Sequence, residues 1–227
     1  VVVYDDLANA ELLDICPRAA KRIYVGKRAG VHCMLQVQIS EILVDEASQG
    51  KRVVRLKGGD PLVFARGGEE METLAKAGIT FDIVPGVTSA IAAGASTGIP
   101  LTHRDHASAV VFVTGHECAG KSARPNQVDW AALAKTGATL CIYMGVRRLP
   151  DISEALQEGG LAGTTPVAIV ANATLEEQSV HVTTLGEAPI FSESLRSKPS
   201  LIIVGDVVRW AELHDTMISM QAASVRV

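Results

Sequence analysis

Aromatic residues make up only 4% of this 227-residue chain, and its four cysteines (Cys16, Cys33, Cys118 and Cys141) include no C-x-x-C pair. The first scarcity disfavours an aromatic-rich sandwich. The second suggests neither a zinc ribbon nor a dense disulfide framework and fits a reducing compartment. No apolar run approaches the ~18 residues of a spanning helix, and the opening residues lack the basic region and cleavage pattern of a secretory leader. A cytoplasmic protein with no membrane partner is therefore expected. The formal net charge of −4 leaves no basic arm or stripe to displace phosphate counterions, which argues against a nucleic-acid partner. The glycine fingerprint G-x-G-x-x-G, the Walker sequence and the G-x-S-x-G elbow are all missing, disfavouring a conventional dinucleotide enzyme, a P-loop ATPase and a serine hydrolase. His103, His106 and His116 have no Cys or acidic partner at a recognised ligand spacing, so no metal is expected.

What is present is aliphatic. Hydrophobic residues reach 48%, dominated by Val, Ile, Leu and Ala, as suits parallel strands buried on both faces. Apolar runs at VVVY, RIYV (22–25), RVVRL (52–56) and FDIV (81–84) read as strands. They alternate with helical patterns: a short helix capped by Asn9, with Leu12, Leu13 and Ile15 on its apolar side; one carrying Leu35, Ile39, Ile42 and Leu43; and one over 68–77 with Met71, Leu74 and Ala75 inward and Glu69 and Glu70 in its first turn. A small-residue helix starts at Thr88 or Ser89 and stops before Pro100. A second series of strands follows at 108–114, 139–144, 166–171, 181–185 and 200–205, with a long loop over 117–128. The pattern predicts an α/β protein in two halves, an N-terminal domain over 1–105 and a C-terminal domain over 106–227, joined near Leu101 to His106.

Candidate chemistry gathers where strands end. KGGDP, directly after RVVRL, puts Gly58 and Gly59 where a ligand could approach the main chain, although a tight turn needs the same residues. VPGVTS offers the amides and hydroxyls of Thr88 and Ser89 either to a ligand or to helix capping. Two such loops after successive strands carry more weight than one, because α/β sheets bind ligands outside the carboxyl ends of their strands. Asp5 and Asp6, ending the first strand, could accept a proton or cap the next turn. Lys27 could donate a proton if its pKa were lowered, or serve as a surface salt-bridge partner. Met144 suits either a core or a ligand wall. Cations concentrate early, at Lys21, Arg22, Lys27, Arg28, Lys51, Arg52, Arg55, Lys57 and Arg66, which a solvated face also explains.

Taken together, VVYDDL, RIYVGKRAG, RVVRLKGGDPLVFARGGEE, FDIVPGVTSAIAA, GIPLTHRD, VFVTGH, YMG and LIIVGDVV resemble the uroporphyrinogen-III C-methyltransferases of the tetrapyrrole methylase superfamily along nearly the whole chain. The resemblance implies two α/β domains with S-adenosylmethionine bound in a cleft between them, S-adenosylhomocysteine as the product, and no metal. Matched motif by motif, it makes Asp5 the proton acceptor and Lys27 the proton donor. It gives Gly58, Gly59, Asp60, Val63, Thr88, Ser89, Met144 and Ala173 to the cofactor. Arg28, Arg66, Arg104 and His32 become partners for the substrate's carboxylates, since guanidinium forks suit carboxylates. The implied reaction methylates uroporphyrinogen III at carbons 2 and 7, giving precorrin-2 by way of precorrin-1, for siroheme or cobalamin biosynthesis in a cytoplasmic homodimer. Family members begin with an earlier strand and a GAGPGDP-like loop, so the first strand is expected to be missing from this sequence. Ala65 also stands where the pattern more often has glycine. Two alternatives share the fold: a methyltransferase of a later corrin intermediate, against which VGKRAG and GIPLTHRD count, and a noncatalytic cofactor-binding relative.

Overall fold

A computed structural model of the chain describes residues 1–26, 34–116 and 128–211. Two compact units divide it, Val1–Thr88 and Ser89–Val227, and the segment 101–106 belongs to the second.

In the first unit, strands β1 (Val2–Tyr4), β2 (Arg22–Tyr24) and β3 (Val54–Leu56) form a parallel sheet in the order β2-β1-β3. Among the described residues, helices α1 (Gln36–Ser48) and α2 (Gly67–Lys76) and a 3₁₀ turn at Ala10–Leu13 accompany the sheet. Val3, Val25, Ile39 and Leu43 make the core, with Ile23, Ile42 and Leu74 packed on it. Asn9 caps the 3₁₀ turn as expected, its side chain accepting the Glu11 N–H at 2.9 Å. Only Leu13 of its apolar residues is buried, however, and Leu12 and Ile15 are exposed. One 3₁₀ turn has too narrow a face to bury all three. At the start of α1, Leu35 lies outside the core as the capping residue, and the Gln38 side chain reaches back to its N–H at 2.8 Å. Gly50, at φ 74°, follows the helix end. In α2 the inward positions are Gly67 and Glu70, with Leu74 one turn further on, whereas Ala75 is exposed.

FDIV is not a strand. Phe81, Ile83 and Val84 are exposed, and residues 79–88 join no ladder among the described residues. A strand exists only by its hydrogen-bonded neighbour, and β3 pairs with β1 alone.

The second unit opens on α3 (Ser89–Thr97), closed by Gly98 at φ 68°. Its sheet has five strands: β4 (Val110–Thr114), β5 (Thr139–Tyr143), β6 (Pro166–Ala171), β7 (Ser179–Thr184) and β8 (Ser200–Val204), in the order β4-β5-β8-β6-β7. Helices α4 (Trp130–Ala134) and α5 (Leu149–Glu158) pack with it. Only β4 and β5 are parallel; β5–β8, β8–β6 and β6–β7 are antiparallel. The aliphatic composition suits parallel strands, yet β6 and β7 are antiparallel because the short link between them cannot make a crossover and must fold back as a hairpin. β5 nonetheless is buried along its whole length. Leu140 and Ile142 face a core with Ile152, Leu156, Ile169 and Ile202, each buried side chain contributing ~1.5–3 kcal/mol. The opposite face carries Cys141 and Tyr143, and the Tyr143 hydroxyl accepts the Ala90 N–H at 3.1 Å, tying the start of α3 to β5.

Candidate functional site

Parallel register brings three loops of the first unit to one edge. Tyr4 pairs with Tyr24 on one side and with Leu56 on the other, so the chain leaves all three strands at the same level. The segments that follow are Asp5–Asp6–Leu7, Val25–Gly26 and Lys57–Gly58–Gly59–Asp60. Their close approach explains the glycines. A Cβ on Gly58 would stand 2.1 Å from the Leu7 carbonyl oxygen, and one on Gly26 would meet the Tyr24 hydroxyl at 2.5 Å and Asp6 Oδ2 at 2.7 Å. Gly58 meets backbone, so the first and third loops close only because its side chain is absent, whereas Gly26 meets side-chain ends that could turn aside.

A fourth segment joins them through Asp60. Its Oδ1 accepts the Leu62 N–H at 2.8 Å and its Oδ2 the Gly86 N–H at 3.2 Å. These backbone donors, Leu62 foremost and then Gly86, hold the Asp60 carboxyl below its ordinary pKa. Gly86 lies against KGGDP so closely that a Cβ would fall 2.2 Å from the Gly59 carbonyl oxygen. The two glycine loops singled out from sequence are therefore clasped together, main chain to main chain. Gly59 adopts φ 76°, and Phe64 and Arg66 take left-handed conformations at 54° and 59°, concentrating backbone strain just after the clasp.

Asp5 stands beside this platform, partly buried. Its Oδ1 accepts the Leu7 N–H at 3.1 Å and its Oδ2 the Arg55 Nη2–H at 2.7 Å. Asp6 accepts instead from the Tyr24 hydroxyl, at 2.5 Å. Arg55 and Lys57, alternate residues at the end of β3, share one carboxylate from α2. Glu70, buried, takes hydrogen bonds from Arg55 Nε at 3.3 Å, from Lys57 Nζ at 3.1 Å and from Gln36 Nε2 at 3.0 Å. Burial lowers the Lys57 pKa and the Arg55 charge lowers it further, while Glu70 pulls the other way. Arg66 makes a two-pronged pair with Glu69, at 2.8 and 2.7 Å, which lowers the Glu69 pKa. Val63 is half-buried within the same loop.

In the second unit β4, β5 and β6 run in one direction, so Gly115, Met144–Gly145 and Asn172–Ala173 also share an edge. Met144 has φ 55° and an exposed side chain, which settles it outside the core. Asn172 and Thr174, at φ 50° and 69°, bracket half-buried Ala173. Ser89 is exposed at the start of α3, one residue before the Ala90–Tyr143 tie; Thr88, which precedes it in the chain, is buried. Arg104 is exposed in a loop whose His103 ring lies tilted against Trp210 and whose His106 ring meets it edge-on, with centroids 4.5 and 4.9 Å away. Among the described residues no cluster of His, Cys, Asp and Glu is arranged to hold a metal ion, and no helix is long and apolar enough to cross a membrane. Lys27, Arg28 and His32 lie outside the described residues.

From sequence, Arg55 and Lys57 counted only as early cations and Glu70 only as a first-turn acid, and Gln36 carried no role. The signal was there: Glu70 precedes Leu74 by four residues and so shares its inward face, where a carboxylate requires cationic company.

Such geometry is that of an α/β protein whose glycine-lined loops gather at the carboxyl ends of its strands, where α/β sheets generally bind ligands. The family model described as tetrapyrrole (corrin/porphyrin) methylases matches residues 1–189. The chain belongs to this family and has its two-sheet α/β fold. It is 49% identical over 209 residues to siroheme synthase of Baumannia cicadellinicola, covering 92% of this chain and 44% of that protein. It is 50% identical over 216 residues to siroheme synthase 1 of Serratia proteamaculans, covering 94% and 43%. The chain thus spans less than half the length of these curated relatives. The crystal structure of uroporphyrin-III C-methyltransferase from Thermus thermophilus complexed with S-adenyl homocysteine superposes with a TM-score of 0.75 at 34% identity, over 92% of this chain and 86% of that one. A cobalt precorrin-4 methyltransferase superposes with a TM-score of 0.78 at 26% identity, over 91% and 84%.

Proposed function

We propose that this chain transfers methyl groups from S-adenosylmethionine to carbons 2 and 7 of uroporphyrinogen III, giving precorrin-2 by way of precorrin-1 and feeding siroheme or cobalamin synthesis. The observation that carries the proposal is the clasped pair of glycine loops beside a fixed carboxylate, in a chain that matches siroheme synthases over more than nine-tenths of its length.

The cofactor fits the residues present. Gly59 and Gly86 lie in exposed main chain, and an adenosyl amino acid offers the polar edges that such backbone recognises. When bound, S-adenosylmethionine supplies a sulfonium methyl to a pyrrole carbon, the C–S electron pair staying on sulfur. The chain's part is positioning and proton traffic. Asp5, held through both oxygens by Leu7 and Arg55, accepts the proton that the ring sheds, and Lys27 donates one as the double bonds rearrange. Asp60 serves the cofactor by keeping the two loops closed, with Val63 flanking it. Thr88, Ser89, Met144 and Ala173 complete the cofactor contacts. Arg28, Arg66, Arg104 and His32 meet the substrate carboxylates, with Arg66 braced by Glu69. The working protein is a cytoplasmic homodimer, which sedimentation of the purified protein and cell fractionation would test.

The direct test incubates the full chain with S-adenosylmethionine and uroporphyrinogen III under reducing, anaerobic conditions and follows S-adenosylhomocysteine. Two equivalents released per tetrapyrrole support the proposal. Release only with an already methylated corrinoid transfers the assignment to a later step, the reading that the fold likeness to the cobalt precorrin-4 methyltransferase favours. Cofactor binding without release makes the chain a noncatalytic relative.

A further inference from the structure

Four charged side chains of the first unit form a closed set: Asp5 on the loop after β1, Arg55 and Lys57 on and beside β3, and Glu70 on α2. Two cations face two carboxylates. All four are largely removed from water; Lys57, Glu70 and Arg55 keep 9%, 6% and 13% of their side-chain exposure and Asp5 keeps 23%. The set is directional. Asp5 is the most exposed member and lies at the loop edge, while Glu70 is the deepest, its carboxylate accepting from Arg55, Lys57 and Gln36 among the described residues.

We propose that Glu70 is a positioning residue for methyl transfer: it fixes the Arg55 guanidinium, which fixes the Asp5 carboxylate for proton acceptance. This rests on the reading of Asp5 as the proton acceptor. A guanidinium is planar, so a contact at Nε sets the plane in which the Nη atoms must lie. Arg55 uses Nε for Glu70, Nη2 for Asp5, and Nη1 for the Leu56 carbonyl at 2.7 Å and the Val3 carbonyl at 3.5 Å. Removing the Glu70 charge releases that plane and leaves two cations competing for Asp5. Lys57 then becomes a rival partner, because the carboxylate that holds its ammonium at 3.1 Å through both oxygens is gone. Gln36 donates to the same Oε1 and so fixes the Glu70 rotamer from α1. A merely structural ion cluster would have no need to end on the carboxylate at the loop edge.

The experiment compares Glu70→Gln, Asp5→Asn and the double variant in methyl transfer to uroporphyrinogen III, with S-adenosylhomocysteine affinity measured by calorimetry. Misplacement of a reacting group by about 1 Å costs on the order of a hundredfold, so Glu70→Gln is expected to lower kcat roughly ten- to a hundredfold. KM and S-adenosylhomocysteine affinity should stay within about twofold of the parent, since the clasp residues are untouched. The double variant should be no slower than Asp5→Asn alone, because Glu70 acts only through Asp5. Should the lone Gln destabilise the fold, Lys57→Met combined with Glu70→Gln removes one charge of each sign; a kcat loss is still expected there because the Arg55 plane is released, but a smaller one, since the rival ammonium is gone. A folded variant with parental kcat, or losses that multiply in the double variant, overturns the role of Glu70. Parental kcat in Asp5→Asn overturns the reading of Asp5 itself, and the relay with it.

Discussion

Gly86→Ala probes the contact that joins the two glycine loops. The new methyl would stand 2.2 Å from the Gly59 carbonyl oxygen, 3.1 Å from its carbon and 3.5 Å from Asp60 Cα. Carbon–oxygen contacts settle near 3.3 Å, so the loops must part by about 1 Å. The Gly86 N–H, already 3.2 Å from Asp60 Oδ2, then passes out of hydrogen-bond range. Overpacking of this kind costs about 1–3 kcal/mol. Because Gly86 lies on an exposed segment, the strain relaxes by opening the loops rather than by disturbing the core, and appears mainly in ligand affinity. The expected weakening of S-adenosylhomocysteine binding is roughly 5- to 150-fold, with little change in Tm. Gly68→Ala is the control: nothing lies within 4 Å of its Cβ position in α2, so binding should hold and stability rise by up to about 1 kcal/mol. Calorimetric titration of both variants decides the matter. Unchanged affinity in Gly86→Ala would refute the clasp as a determinant of binding.

Other consequences follow from the charges and the core. The Asp60 carboxyl is held below its ordinary value of 3.8, so its contribution is present above that pH and disappears as pH falls through the lowered value. Asp60→Asn should therefore melt lower than the parent at neutral pH, and the gap should close in the acid range below 3.8; a gap independent of pH contradicts the assignment. Cys141, fully buried on β5, has its thiol pKa pushed up by burial to about 12 and stays neutral at pH 8. Native-state iodoacetamide labelling read by mass spectrometry should modify partly exposed Cys16 and spare Cys141, and equal labelling would show that the second sheet is open.

The sequence was most legible where chemistry and periodicity coincide. β6, bounded by Pro166, is found over the expected span, and the small-residue helix α3 stops before Pro100 as expected, because only the chain's own sterics are involved. What escaped depends on partners far along the chain. FDIV has strand-like residues but no ladder, and the antiparallel course of β8 between β5 and β6 has no local signature. At the candidate site, the glycine loops and Asp5 were legible because a missing Cβ or a carboxylate at a strand end speaks for itself. That Gly86 N–H donates to Asp60, or that Arg55 serves both Asp5 and Glu70, spans 26, 50 and 15 residues of sequence and emerges only once the sheet has set the register. Lys27 and Arg28 stand on charge and motif resemblance, and His32 on motif resemblance alone.

The central claim concerns where the methyl groups land. The full chain, uroporphyrinogen III and S-adenosylmethionine carrying a ¹³C methyl should yield a tetrapyrrole whose carbon NMR spectrum shows two enriched methyls, attached to carbons 2 and 7. A product with no enriched methyl, or one enriched at any other ring carbon, would contradict it.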